Sequence, residues 1–248
     1  MLTQAEIKLI NSLKLNKNRR NSGFFIVEGP KIISELINYP EFEIHLIAAI
    51  KIWKDLNKEL FSIEIKEITE KALQKLSNFS TANEVFAIVK MPEYPSFIAN
   101  KDSLYLVLDG LQDPGNLGTI IRTADWFGIT DIICSKDTVD CYNQKVVQAT
   151  MGSILRVRCH YIKLSDFLEK QQFPIYGMLL DGKNILNEQL SKSGFIVVGN
   201  ESKGISEEVR QYISHPLFIP SFRQSQTESL NASIATAIVC NEFRRRIN

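Results

Sequence analysis

From Leu104 to the C-terminus, short apolar runs alternate with segments of helical spacing, and this alternation restricts the fold more than any other feature of the chain. The apolar runs are Leu104 to Leu108, Ile132 to Cys134, Ile175 to Leu180, Phe195 to Val198 and Leu217 to Ile219. Between them, Val146 to Ile154 and Ser206 to Ile213 read as helices, as does the stretch carrying Leu117, Ile120, Ile121 and Ala124, which Gly128 stops. Strands and helices in this rhythm predict a mainly parallel sheet covered on both faces. Such sheets take ligands at the carboxyl ends of their strands. A long helix, Leu230 to Arg246, ends the chain.

The N-terminal part reads as a smaller α/β layer. Glu6 to Leu13, Pro30 to Ile37 and Thr69 to Leu76 have helical patterns, the second with proline near its first turn. Phe24 to Val27, Ile44 to Ala49 and Val85 to Val89 read as strands. The segment MPEYPSFIANKDS has two prolines and little periodicity, so the domain boundary is placed between Met91 and Asp102.

With 248 residues, 44% hydrophobic and 23% charged, the chain is sized for a small domain joined to a larger one. No apolar run approaches the roughly 20 residues of a membrane span, and the first ten residues lack a secretory core; a cytoplasmic protein is expected. Cys134, Cys141, Cys159 and Cys240 form no C-x-x-C pair, and His45, His160 and His215 form no ligand cluster with Cys or Asp, so no metal is expected and the thiols are read as reduced. The net charge of +1 leaves nucleic-acid binding to local patches. Two qualify: Lys14, Lys17, Arg19 and Arg20 near the start, and Arg244, Arg245 and Arg246 at the end. The alternative for the first is a solvated helix end, and for the second a basic C-terminal turn complementing the helix dipole.

Three polar constellations follow apolar elements. In DGLQDPGNLGTIIRTADWFG, Asn116 is expected to cap a helix that carries Thr119 and Arg122 on the face opposite Leu117, Ile120 and Ile121. In VVGNESKGIS, Gly199 and Gly204 permit close backbone approach, Glu201 stands on the loop near Lys203, and Ser206 is expected to cap the next helix. In IPSFRQSQTESLNASIATAIVCNEF, Ser229 is the expected cap of the last helix, with Asn231 and Ser233 in its first turn. Neither the P-loop spacing nor G-x-G-x-x-G occurs, which argues against a nucleotide triphosphatase and a Rossmann dehydrogenase. Trp126 and Phe127 end an amphipathic helix, where core packing or a dimer contact is favoured over base stacking.

In this order and at these spacings the three segments resemble the signature motifs of the SpoU (TrmH-type) RNA ribose methyltransferases of the SPOUT superfamily. DPGNLGTIIRTADWFG resembles the first motif, GNESKGIS the second and ESLNASIATAI the third. RRNSGFFIVEGPKIISEL, with LSNFSTANEVFAIV, is similar to the RNA-recognising domain that precedes the catalytic one in many members. The resemblance implies an α/β fold: a substrate RNA-binding domain over 1–93, a linker over 94–103, and a parallel-sheet methyltransferase domain with a trefoil knot over 104–248. It implies S-adenosylmethionine as cofactor, held at Leu180, Gly199, Ile219 and Leu230, and a homodimer whose interface completes the active site. It assigns chemistry to Arg122, Asn116, Glu201, Ser229 and Asn231; RNA contacts at Lys17, Arg19 and Arg20 are expected from charge placement alone. The loop between Pro220 and Ser229 is longer than the family's common form.

A ribose hydroxyl is neutral at pH 7, so a base or a field that stabilises developing alkoxide is required. Arginine stays protonated, which suits Arg122 to clamp phosphate and stabilise alkoxide rather than to take a proton. Structured RNA is the expected partner, ribosomal RNA before transfer RNA. The rival from another class is an RNA-binding or ribosome-assembly protein that keeps this fold without catalysis.

Overall fold

A computed structural model describes residues 1–221 and 229–245. The N-terminal part contains α1 (Gln4–Ser12), α2 (Asn16–Ser22), β1 (Phe24–Glu28), α3 (Pro30–Glu35), β2 (Ile44–Ala49), α4 (Lys51–Asn57), β3 (Ile65–Glu67), α5 (Glu70–Leu76) and β4 (Val85–Lys90). After it come β5 (Leu104–Leu108), α6 (Pro114–Trp126), β6 (Asp131–Ser135), α7 (Gln144–Thr150), β7 (Arg158–Ile162), α8 (Leu164–Leu168), β8 (Ile175–Asn184), β9 (Gly194–Val198), α9 (Glu207–Arg210), β10 (His215–Phe218) and α10 (Ala232–Arg244). They form two compact units. The first is Met1–Pro95 with Tyr142–Leu155, and the second is Ser96–Cys141 with Arg156 onward. The stretch holding α7, which the sequence pattern groups with the C-terminal domain, thus packs in the first unit, where Tyr142 lies 4.5 Å from the Phe25 ring.

In the first unit a four-stranded sheet has the order β1-β4-β2-β3, antiparallel except for the parallel β2–β3 pair. Leu46, Ala48, Phe86 and Ile88 of the sheet meet Ile10 and Leu13 from α1 and Leu73 and Leu76 from α5 in one apolar core. Thr3 and Glu6 close a reciprocal capping box that starts α1. α2 has no apolar periodicity, and a cation holds it instead. Arg19 is 2% exposed, and its guanidinium donates to the Leu13 (2.9 Å) and Lys14 (3.2 Å) carbonyls where α1 ends. This corrects the reading of Arg19 as an RNA contact, since a buried guanidinium bonded to backbone is withheld from phosphate. Lys17 and Arg20 remain exposed on the same helix.

The second unit is built on a six-stranded, wholly parallel sheet of order β10-β8-β9-β5-β6-β7. β5 and β9 lie at its centre and every residue in both is buried, which is why LYLVL and GFIVV read as unbroken apolar runs. From β5 the chain moves outward through β6 and β7, whereas β8 and β10 lie on the other side of β9. The point where the order reverses is therefore the β5–β9 junction, where an open parallel sheet forms its crevice. Phe97 and Ala99, inside the expected linker, pack on this unit's core with Tyr105, Phe195 and Leu168.

Two further differences from the sequence pattern shape the site. β8 runs four residues past Leu180, and its pairing with β10 jumps from Gly177 to Lys183, leaving Met178–Gly182 without β10 partners. α9 is a single turn, and the Ser206 side chain does not cap it; the Ser206 N–H donates to Asp109 Oδ2 at 2.7 Å instead. No described helix is long and apolar enough to cross a membrane.

Candidate active site

Parallel pairing of Leu108 with Val198 delivers the turn after β5 and the loop after β9 to the same edge of the sheet. Each is tied to the other. Asn200 Nδ2 donates to the Gly110 carbonyl at 2.7 Å, and Asn200 Oδ1 accepts from the N–H groups of Ser202 and Lys203. Gly199 has to be glycine here, because a Cβ would lie 2.2 Å from the Gly204 carbonyl carbon. Asp109, nearly buried, binds the far end of the same loop through Ser206.

Glu201 collects donors from the first turn. Its carboxylate accepts from the backbone N–H of Gln112 (3.3 Å) and Asp113 (3.2 Å) and from Asn116 Nδ2 (3.0 Å). Burial alone raises the pKa of this acid, but the Asn116 amide and the backbone N–H groups outweigh it, so the net shift is downward. Glu201 is thereby held anionic and is a poor proton acceptor. It fixes geometry.

Asn116 Oδ1 in turn accepts from Asn231 Nδ2 at 2.8 Å, and Asn231 Oδ1 accepts from Ser233 N, Ser233 Oγ and Ile234 N. Donation thus runs one way, from the start of α10 through Asn231 and Asn116 to the Glu201 carboxylate. Both amide orientations follow from the chain's two ends, a set of N–H donors and an acceptor-only carboxylate. Two expected caps are corrected by the same contacts. Asn231, not Ser229, caps α10, and Asp113, not Asn116, caps α6 by accepting from Asn116 N at 2.7 Å. The signal for Asp113 was in the sequence as Asp followed by Pro at the first helical position.

Beside this network lies a cavity of about 890 Å³. Gly199, Glu201, Ser229, Leu230 and Asn231 border it, with Leu180 and Ile219 on the walls supplied by the unpaired part of β8 and the segment after β10. All four residues expected to hold cofactor therefore line one cavity, together with Glu201, Ser229 and Asn231. Met178 and Leu179, beside Leu180, line it too, as does Asn200, which sequence reasoning missed. Most of the lengthened loop after Pro220 lies outside the described residues, as does Arg246; Arg244 donates to the Phe127 and Gly128 carbonyls and so closes the end of α6.

Arg122 is placed elsewhere. It lies six residues beyond Asn116, about 240° further round the helix, on an exposed row with Thr119 and Trp126. It makes no hydrogen bond or ion pair with the described residues. Trp126 is 85% exposed, which rules out the expected core packing. His160 pairs with Asp131 at 2.7 Å, while His45 lies against Phe24 and His215 against Tyr176, so the three histidines are dispersed in structural contacts.

Residues 103–241 match the SpoU rRNA methylase family, and residues 4–87 match the MRM3-like substrate binding domain. The chain is 30% identical over 245 residues to the 23S rRNA (guanosine(2553)-2'-O)-methyltransferase RlmP of Bacillus subtilis, covering 96% of each. Among solved structures, an RNA methyltransferase assigned to the TrmH family from Porphyromonas gingivalis superposes with a TM-score of 0.88 at 37% identity, over 99% of both chains. The AdoMet-bound rRNA methyltransferase of Sinorhizobium meliloti superposes with a TM-score of 0.86 at 26% identity, over 100% of this chain and 97% of that one. The motifs, the parallel sheet and these matches agree: the chain belongs to the SpoU rRNA methylase family, whose enzymes methylate RNA from S-adenosylmethionine.

Proposed function

We propose that this chain methylates a ribose 2'-hydroxyl of ribosomal RNA and acts as a homodimer in the cytoplasm. The observation that carries the reading is the one-way network Asn231–Asn116–Glu201 standing on the border of the cavity. S-adenosylmethionine fits the donor set there: Leu180, Ile219 and Leu230 offer apolar surface to an adenine, and Ser229 and Asn231 offer polar groups to an amino-acid end. When bound, the cofactor supplies an electrophilic methyl on a sulfonium. The protein's share of the work is then positioning and charge. Asn116 and Glu201 hold the turn after β5 against the loop after β9, and Asn231 fixes the start of α10. The trefoil knot is proposed for the C-terminal part of the sheet domain.

Arg122 supplies a phosphate clamp or a field for the developing alkoxide. Its position on the exposed row of α6 favours delivery to the site of a second copy. The same row carries Trp126, and α10 presents Ile234, 52% exposed, so an apolar surface is available for that contact. Lys17 and Arg20 are proposed to meet RNA phosphates. The relatives named for 23S rRNA favour ribosomal over transfer RNA.

The test is tritium transfer from labelled S-adenosylmethionine to ribosomal and transfer RNA from cells lacking the protein. Wild type is expected to label ribosomal RNA as an alkali-resistant ribose methyl, and Arg122→Ala to lose about 10²-fold or more in rate. Mixing Arg122→Ala with Asn116→Ala is expected to restore activity, because one site in the mixed dimer then receives both native side chains. No restoration would put Arg122 in its own protomer's site. Label in neither RNA, from a protein that binds cofactor, would favour the non-catalytic RNA-binding reading.

A further inference from the structure

Gln112 stands between two loops at the candidate site. Its backbone N–H donates to Glu201, and its side-chain Nε2 donates to the Gly110 carbonyl at 3.2 Å and the Asp137 carbonyl at 2.6 Å. Both partners are carbonyl oxygens, which only accept, so the amide nitrogen must face them. The orientation of the amide is therefore fixed. The carbonyl end, Oε1, accepts no hydrogen bond from the described residues, and the side chain is exposed. Gly110, with φ of +69°, makes the tight turn that brings its carbonyl under the amide, and Asn200 holds that same carbonyl from the other side. The result is a pre-set acceptor that has no donor to offer.

Gln112 does not line the cavity that fits the cofactor; it lies across Glu201 from it. The two loops that grip it each present an exposed lysine, Lys136 next to Asp137 and Lys203 two residues after Glu201. Neither lysine has an ion-pair partner among the described residues. A polyanion drawn to these lysines would bring its nucleotides past Oε1.

We propose that Gln112 Oε1 reads the base of the methylated nucleotide and selects guanosine over adenosine. The inference rests on the RNA-methylation reading. Guanine presents adjacent N1–H and N2–H donors on its Watson–Crick edge, whereas adenine places a bare N1 acceptor there. An acceptor that cannot turn its amide round, set opposite N1 and C2 of the base, satisfies the first and meets a bare N1 and a C2–H in the second, whose one donor on that edge, N6–H, lies where guanine carries O6. A rotating glutamine would satisfy both, so the selectivity depends on the Gly110 and Asp137 carbonyls.

The experiment uses the full chain and ribosomal RNA from cells lacking it. The labelled position is mapped, and short transcripts of that region are then prepared with guanosine, inosine or adenosine at the site. Wild type is expected to prefer guanosine over adenosine by about 10- to 100-fold in kcat/KM, the range of one well-placed hydrogen bond. Inosine, which keeps N1–H, is expected to lie between them. Gln112→Leu should bring the guanosine-to-adenosine ratio close to one while leaving the cofactor Kd and the melting temperature unchanged. If Gln112→Leu slows all three transcripts equally, Gln112 only positions the loop and the proposal falls. A mapped target other than guanosine also overturns it. If no RNA is labelled, the methylation reading itself fails and takes this proposal with it.

Discussion

Glu201 and Arg19 are both charged side chains engaged by the protein's own polar groups, but their partners come from very different distances along the chain. Glu201 accepts from residues 85, 88 and 89 positions earlier, so its contacts exist only once the parallel sheet has brought β5 beside β9. Arg19 donates to carbonyls five and six positions earlier, at the end of the helix before its own. One charge joins distant segments at a strand-end crevice, and the other finishes a local turn. A charge that waits for the whole fold before it is satisfied is placed to organise a site, whereas one satisfied locally is placed to hold an element. The comparison predicts opposite phenotypes.

Removing Glu201 carries the largest effect. Glu201→Ala releases three donors and the Asn116 orientation together, and methyl transfer to ribosomal RNA is expected to fall by about 10²- to 10³-fold, as when a preorganised electrostatic partner is lost. The melting temperature should move little, because Glu201 stands on a loop at the edge of the sheet rather than in its core. Single-turnover assays beside thermal melts check both halves. A variant that keeps its activity, or one that melts far earlier, would erase the distinction from Arg19.

Arg19→Ala is the converse. One buried and one part-buried backbone carbonyl lose their donor, and the first unit is expected to lose about 1–3 kcal/mol, the usual cost of stranding such groups. Denaturant melts report it. Arg20→Ala, on the exposed side of the same helix, should leave stability unchanged and weaken RNA binding in a salt-dependent way. Equal RNA-binding losses for the two would return Arg19 to the surface role that its burial denies.

The same contrast explains what the sequence made legible. Leu104 to Leu108 and Ile44 to Ala49 match their strands residue for residue, because apolar runs report burial directly. The cavity's four cofactor positions were legible only through the resemblance, since Leu180, Gly199, Ile219 and Leu230 share no periodicity and meet only through the sheet order. α2 was not legible as a packed element, because NKNRRNS buries a guanidinium in place of apolar side chains. β8 beyond Leu180 was hidden by DGKN, polar residues that belong to a strand only because β10 pairs with their last two. Caps were misplaced by two or three positions where several small polar residues competed, as among Ser229, Asn231 and Ser233.

The smallest effect belongs to Glu6, whose contacts are part local and part distant. The Lys66 ammonium, then the Thr3 N–H, hold its pKa down to about 2 from an ordinary 4.5. A carboxylate whose folded pKa lies below its unfolded value contributes stability above the unfolded pKa and loses it as pH falls through the folded one. Its contribution should therefore be complete at pH 7, begin to fade near pH 4.5 and be gone below about pH 2. Glu6→Gln is expected to melt below wild type at pH 7, with the gap narrowing steadily between pH 4.5 and the lowest pH at which the fold survives. Gln keeps an acceptor for the Thr3 N–H at the third position of the capping box, so the pH-dependent part of the gap isolates the charge on Glu6 and its pairing with Lys66 across the fold. A gap that stays constant with pH would assign the stabilisation to the cap alone, and Glu6 would then join Arg19 as a purely local contact.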